Sequence, residues 1–102
     1  WKILRKVNRS EWGAPMFTIS KPDGSLRSLA DLRELNKRIK RKPFPIPKIQ
    51  DMLHKLRGFR WVSTIDLNMG YHNILLDSAS SKLCTIVLLW GKYEYLRLPI
   101  GL

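Results

Sequence analysis

Three prolines stand at alternate positions in the run Lys42-Pro43-Phe44-Pro45-Ile46-Pro47-Lys48. Each ring fixes its own φ, removes a backbone donor and drives the preceding residue out of the α region. Residues 43–47 are therefore an extended segment, and the hydrophobic period differs on its two sides. Upstream, Ala14–Ser20 (APMFTIS) is β-branched and aromatic enough to form a strand. Lys21-Pro22-Asp23-Gly24 orders its residues as a tight turn requires, and Ser25–Leu29 alternates polar with apolar, which predicts an antiparallel hairpin. Downstream, Ile49, Met52, Leu53 and Leu56 recur at one face of a helix. Pro47 suits the first turn of that helix and Gly58 its end. The stripe reads as core packing, and His54, which falls off it, as a surface residue.

Beyond the helix, Phe59–Ile65 (FRWVSTI) predicts a strand running directly into Asp66. Asn68-Met69-Gly70 breaks it and Tyr71–Leu76 returns towards apolar. Leu83–Leu89 is strand-prone, Trp90-Gly91-Lys92 a short turn, and Tyr93–Leu98 alternates, giving a second hairpin. Hairpins with one clear helix between them predict an α+β fold. With 102 residues the chain has room for one domain at most. It starts at Trp1 and stops at Leu102 just after an apolar stretch, and so reads as a piece of a longer protein. Hydrophobic residues make up 44%, which argues for a folded chain rather than a disordered one. No apolar run approaches the roughly 18 residues of a membrane span, and Trp1–Ser10 is too basic and too broken for a secretory signal. Cys84, the single cysteine, has no partner for an internal disulfide and reads as a small buried side chain. An intracellular, reducing location follows, without a choice between a cytoplasmic particle and the nucleus.

Charge is distributed unevenly. Residues 1–60 hold 16 Lys and Arg against 5 Asp and Glu, whereas residues 61–102 hold 3 against 3. The whole formal charge of +11 thus lies in the first part. A field of that sign favours a polyanion partner. It peaks in Lys37, Arg38, Lys40, Arg41 and Lys42, five cations in six positions, for which the usual reading is a solvated face or a nuclear-import signal, each competing with phosphate binding. On charge alone, residues 31–42 are expected to stay out of the core.

The neutral part carries one carboxylate in an informative place, Asp66 in Ile65–Ile74 (IDLNMGYHNI). A turn aspartate bonding nearby backbone N–H groups accounts for it simply. The sharper alternative, on this pattern alone the less common one, is a metal ligand at the rim of a sheet, since Mg²⁺ takes few protein ligands and bridges substrate phosphates. Lysine and arginine on a neighbouring hairpin would neutralise phosphate charge that the metal does not reach. Two-metal phosphoryl transfer, however, needs more than one carboxylate to hold ions about 4 Å apart. The nearest acids in sequence, Asp77 and Glu94, form no close pair with Asp66. His72 lacks a second His or Cys at ligand spacing, and Tyr71 taken alone reads as a core aromatic.

The order of the motifs says more than any one of them. SEWGAPMF, SKPDGSLR, ADLRELNK, PFPIPKIQDML, IDLNMGYHNI, SSKLCTIVLLWGKYEY and LPIGL together resemble the reverse transcriptases of LTR retrotransposons, of the gypsy type, from about Ser10 to Leu102. The resemblance implies part of a right-hand polymerase, with basic fingers over about residues 1–60 and the start of the palm over about 61–102. It implies that Asp66 is a catalytic metal ligand assisted by the carbonyl of Leu67, and that Tyr71 lies under the incoming sugar. Lys21 and Arg27 would grip the triphosphate, with Ile100 and Gly101 beside the nucleotide, and Lys37, Arg38, Lys40, Arg41 and Lys42 on nucleic acid. Two Mg²⁺ ions, with Mn²⁺ as substitute, a template-primer of RNA or DNA, dNTPs, and the remaining palm, thumb and RNase H complete the expectation. The chain departs from the family pattern at Lys21-Pro22, where two basic residues are usual, at Leu32, where an aromatic is usual, and at Ile100, where Phe is usual. It contains no Tyr-x-Asp-Asp, the family's source of further catalytic carboxylates, so the piece is expected not to polymerise alone. Two other readings compete: a non-enzymatic basic nucleic-acid module built on Lys37–Lys42, and an inert remnant of a decayed copy.

Overall fold

A computed structural model describes residues 2–102. Five strands form one sheet: β1 Leu4–Val7, β2 Ala14–Ser20, β3 Leu26–Ala30, β4 Thr85–Leu88 and β5 Gly91–Tyr95, in the spatial order β1-β5-β4-β2-β3. β2 and β3 make the expected hairpin, in register Met16↔Ala30 and Ile19↔Arg27. Its turn closes with the Gly24 N–H donating to the Lys21 carbonyl at 3.0 Å, and Gly24 takes the positive φ of 83° that such a turn favours in glycine. β4 and β5 make the second hairpin, and β1 adds to its outer edge with Arg5 opposite Glu94. The two hairpins join through parallel pairing of β2 with β4, Ala14↔Ile86 and Pro15↔Val87.

Three short helices flank the sheet: α1 Arg33–Asn36, α2 Ile49–Lys55 and α3 Ser78–Leu83. Asp77 caps α3, its Oδ1 accepting the Ser80 N–H at 2.8 Å. The core is small and lies between the sheet, α1 and α3. It comprises Ala30, Leu32, Leu35, Cys84, Ile86 and Tyr95, flanked by Leu4, Trp12, Met16 and Leu76 among others. Buried Glu94 is held by an ion pair with Arg5 of the adjacent strand.

The hairpins, the helix after Pro47 and buried Cys84 match the sequence reading, and three expectations do not. Leu32 and Leu35 are 4% and 7% exposed, so residues 31–42 are not excluded from the core. A single helical turn suffices to point two leucines inward while Arg33 and Glu34 stay in water. The stripe of α2 is not core: Ile49 is 75% exposed and Leu53 62%, and α2 contains no buried residue. Phe59–Ile65 forms no strand, and Trp61 and Ile65 are about nine-tenths exposed. A strand is defined by its ladder, and among the described residues no strand lies beside this run. Three elements escaped the sequence reading, β1, α1 and α3, all too short to show a period of their own.

Candidate active site

Asp66 follows the exposed run 61–65 and begins a chain reversal. Met69 occupies the left-handed region at φ 51°, ψ 47°, unusual for a residue with a long side chain. The 3-10 turn Gly70–Asn73 follows at once, its first hydrogen bond running from the His72 N–H to the Met69 carbonyl at 2.9 Å. This reversal returns Tyr71 towards Asp66. Asp66, Leu67 and Tyr71 line one shallow depression with Ile65, Gly70, Ile74 and Leu98, about 540 Å³ in volume. The Tyr71 ring is half exposed rather than a core aromatic. Ile74 and Leu98 are walls that sequence reasoning missed.

Those walls are positioned by a short antiparallel ladder. The Leu98 N–H donates to the Ile74 carbonyl at 2.8 Å and the Leu76 N–H to the Leu96 carbonyl at 2.9 Å, around a bridge of Leu75 with Arg97. Arg97 also donates to the His72 carbonyl at 3.0 Å. The segment that leads to LPIGL is thereby stitched to the one that carries Asp66. Ile100 and Gly101 turn the other way, into a neighbouring depression with Phe17, Leu29, Arg33 and Asn36. The Asn36 side chain donates to the Gly101 carbonyl at 2.8 Å, tying that end to α1.

The cations predicted for substrate occupy separate elements. Lys21 closes β2 and Arg27 stands on β3 opposite Ile19, both at the tip end of the first hairpin. Neither lines the Asp66 depression. Lys37 is bonded to Glu34 at 2.7 Å, which holds the Glu34 carboxyl below its ordinary range. The Arg38 guanidinium lies over the Trp12 ring, and Lys40, Arg41 and Lys42 are exposed. The strongest electrostatic perturbation is at Asp31. Hydrogen bonds from the Arg33 guanidinium, then from its backbone N–H, bring the carboxyl down to about 2.

As a cation site, the depression offers the Asp66 carboxylate and the backbone around Leu67, oxygen donors of the hard type that Mg²⁺ prefers. Among the described residues, no three His, Cys, Asp or Glu come together as a metal cluster. The donors fit a divalent ion in kind and fall short of a complete site in number.

Comparison with known proteins gives the family. The family model for "Reverse transcriptase (RNA-dependent DNA polymerase)" matches residues 19–102. The chain belongs to the reverse transcriptase family. This reverse transcriptase segment is 35% identical, over 98% of its length, to the retrovirus-related Pol polyprotein from transposon 297 of Drosophila melanogaster. It is 31% identical, over 95% of its length, to the corresponding polyprotein from transposon gypsy of the same fly. It spans about a tenth of the length of these curated relatives, 10% in each case. Its fold matches the crystal structure of the prototype foamy virus protease-reverse transcriptase, with a TM-score of 0.83 and 27% identity. That match covers 97% of this chain and 13% of the viral one. The fold is accordingly α+β, part of a right-hand polymerase, and the gypsy-type resemblance read from the ordered motifs stands.

Proposed function

We propose that this segment contributes the first metal-binding carboxylate and the sugar-facing aromatic of an RNA-directed DNA polymerase that serves retrotransposon replication. The observation that carries the reading is the shared depression of Asp66 and Tyr71, created by the left-handed turn at Met69. Asp66 and the Leu67 carbonyl would hold Mg²⁺, or Mn²⁺ in its place, and a pair of such ions in the complete enzyme would supply charge neutralisation at the reacting phosphate. Tyr71 presents its exposed ring as a floor for the deoxyribose, and Ile74 and Leu98 keep that floor apolar. Lys21 and Arg27 bring cationic charge to the triphosphate from the hairpin tip. Lys37, Arg38, Lys40, Arg41 and Lys42 hold the backbone of the RNA or DNA template-primer. Ile100 and Gly101, which line a depression separate from that of Asp66, bound the nucleotide from the side of α1.

The remaining palm, a thumb and an RNase H domain of the parent chain are the partners of this reading, and no membrane enters it. No helix among the described residues is long and apolar enough to cross one. The 102 residues alone do not polymerise, because one carboxylate does not hold two ions. The test is primer extension with Mg²⁺ and dNTPs. The isolated chain is expected to extend nothing, and a chimera joining it to the rest of a gypsy-type polymerase to extend in an Asp66-dependent manner. Extension by the isolated chain that Asp66→Asn abolishes sinks the claim of inactivity. A chimera that is equally active with Asp66→Asn sinks the metal-ligand assignment.

A further inference from the structure

The turn that brings Tyr71 back to Asp66 has little to hold it from within. Met69 lies in the left-handed region at φ 51°, and the 3-10 turn after it is four residues long with no side-chain cap. A non-glycine residue in that region persists only where the surrounding structure over-determines it. One isolated helical turn does not do so, because fixing its dihedrals costs more than its first hydrogen bond returns. The local bonds are the His72 N–H to the Met69 carbonyl at 2.9 Å and the Ile74 N–H to the Tyr71 carbonyl at 3.2 Å. The Asn73 side chain reaches the Met69 carbonyl only at 3.5 Å, the outer limit of a hydrogen bond.

The restraint comes from the segment opposite. In the short ladder Leu75 faces Arg97, with the Leu98 N–H on the Ile74 carbonyl and the Leu76 N–H on the Leu96 carbonyl. Continued in that register, the next hydrogen-bonded pair would be His72 with Ile100, and the Ile100 N–H would meet the His72 carbonyl. The chain does not continue: after Pro99, Ile100 and Gly101 turn into the depression that holds Asn36. The Arg97 side chain takes the place of the lost donor, its Nη1 donating to the His72 carbonyl at 3.0 Å. Both residues are half-buried, where a carbonyl left without a donor is costly and a charged donor is stronger than an amide. Arg97 therefore grips the turn twice, through its backbone opposite Leu75 and through its guanidinium on His72, the neighbour of Tyr71.

We propose that Arg97 is a positioning residue, whose guanidinium locks the Met69–Asn73 turn and thereby sets the Tyr71 ring against Asp66. Its consequence for the nucleotide rests on the reading of Tyr71 as the sugar-facing aromatic, so the test has two arms. In the 102-residue chain, the Met69 Cα and Cβ resonances report the left-handed backbone directly. Arg97→Met is expected to move them to random-coil values while the Leu98 amide stays protected, and Arg97→Lys, which keeps a cationic donor, to leave them in place. Unchanged Met69 resonances in Arg97→Met overturn the proposal whatever the polymerase does, as do random-coil values in the wild type. The second arm is the polymerase chimera, with dTTP on a poly(rA)–oligo(dT) template-primer. There Arg97→Met is expected to raise the KM for dTTP about tenfold with kcat within about threefold, and Arg97→Lys to recover most of the change. In a Tyr71→Ala background the same substitution is expected to add nothing further to KM, because it acts through that ring. A loss in kcat alone marks a merely structural arginine and overturns the proposal, and so does an equal rise in KM with and without the Tyr71 ring. A Tyr71→Ala chimera with unchanged KM sinks the sugar-facing reading instead, and the Met69 resonances then decide the role of Arg97 by themselves.

Discussion

At the scale of single residues, burial is concentrated in very few side chains. Ile86 is fully buried and Cys84 is 2% exposed, where burial pushes the thiol pKa up. With six apolar residues in the core among the described residues, each carries an unusual share of the stability. Ile86→Ala is expected to cost about 2–5 kcal/mol, from lost transfer energy plus the cavity left behind. A urea titration followed by far-UV circular dichroism checks this through a lowered midpoint. A midpoint unchanged from wild type would mean that the core lies elsewhere. Asp66 and Tyr71 were legible at this scale because both sit in one short motif. Ile74 and Leu98 were not, because a wall is defined by what faces it, and Leu98 comes more than twenty residues later in the chain.

Among the elements, the weakest join is the parallel contact of β2 with β4, just two residue pairs long. Gly13 precedes it, and a Cβ there would meet the Val87 Cγ2 at 2.7 Å, closer than two carbons tolerate. Gly13→Ala is therefore expected to lower the melting temperature, and Val87→Ala in the same chain to recover most of the loss. Two purely additive losses in that double-mutant cycle would show that the methyl groups do not meet. The start of α1 makes a pH prediction. The Asp31 carboxyl falls from its ordinary 3.8 to about 2 because Arg33 hydrogen-bonds the ionised form. A depressed carboxyl stabilises the fold fully above its unfolded pKa, and this contribution is lost as pH falls from about 3.8 towards about 2. The carboxyl-carbon resonance of Asp31 should titrate near the lower limit, and Arg33→Ala should return it upward. β1 was illegible for a similar non-local reason: Leu4–Val7 becomes a strand through Arg5 and its register with Glu94.

Over the whole molecule, the dimensions carry the argument. The radius of gyration is 17.9 Å, against about 13 Å for a compact domain of this length. The exposed area is 9351 Å², against roughly 6,000 Å² for a compact monomer of this size. The excess belongs largely to residues 37–69, every one of them exposed, including Phe44, Ile46, Leu53 and Trp61. A helix of seven residues with its apolar face in water lies far below the roughly 12–15 residues at which isolated helices become even marginal. Amide hydrogens of α2 are therefore expected to exchange nearly as fast as those of an unfolded chain, while those of β4 and β5 are protected. Slow exchange throughout α2 in the isolated chain would contradict this, and protection appearing only in the full-length chimera would locate its packing partner there.

Local chemistry in the sequence determined the β2–β3 hairpin and its turn, the helix after three prolines, the buried cysteine and the motif order that marks a reverse transcriptase. The hairpin, its turn and the helix depend on residues within a few positions of one another, where φ restriction, side-chain period and turn geometry act directly. Tertiary structure alone decided the parallel join of β2 with β4, the burial of Leu32 and Leu35 beneath charged neighbours, and the walls around Asp66. It also decided that Phe59–Ile65, strand-like in composition, makes no strand, because a ladder needs a neighbour that local sequence cannot supply.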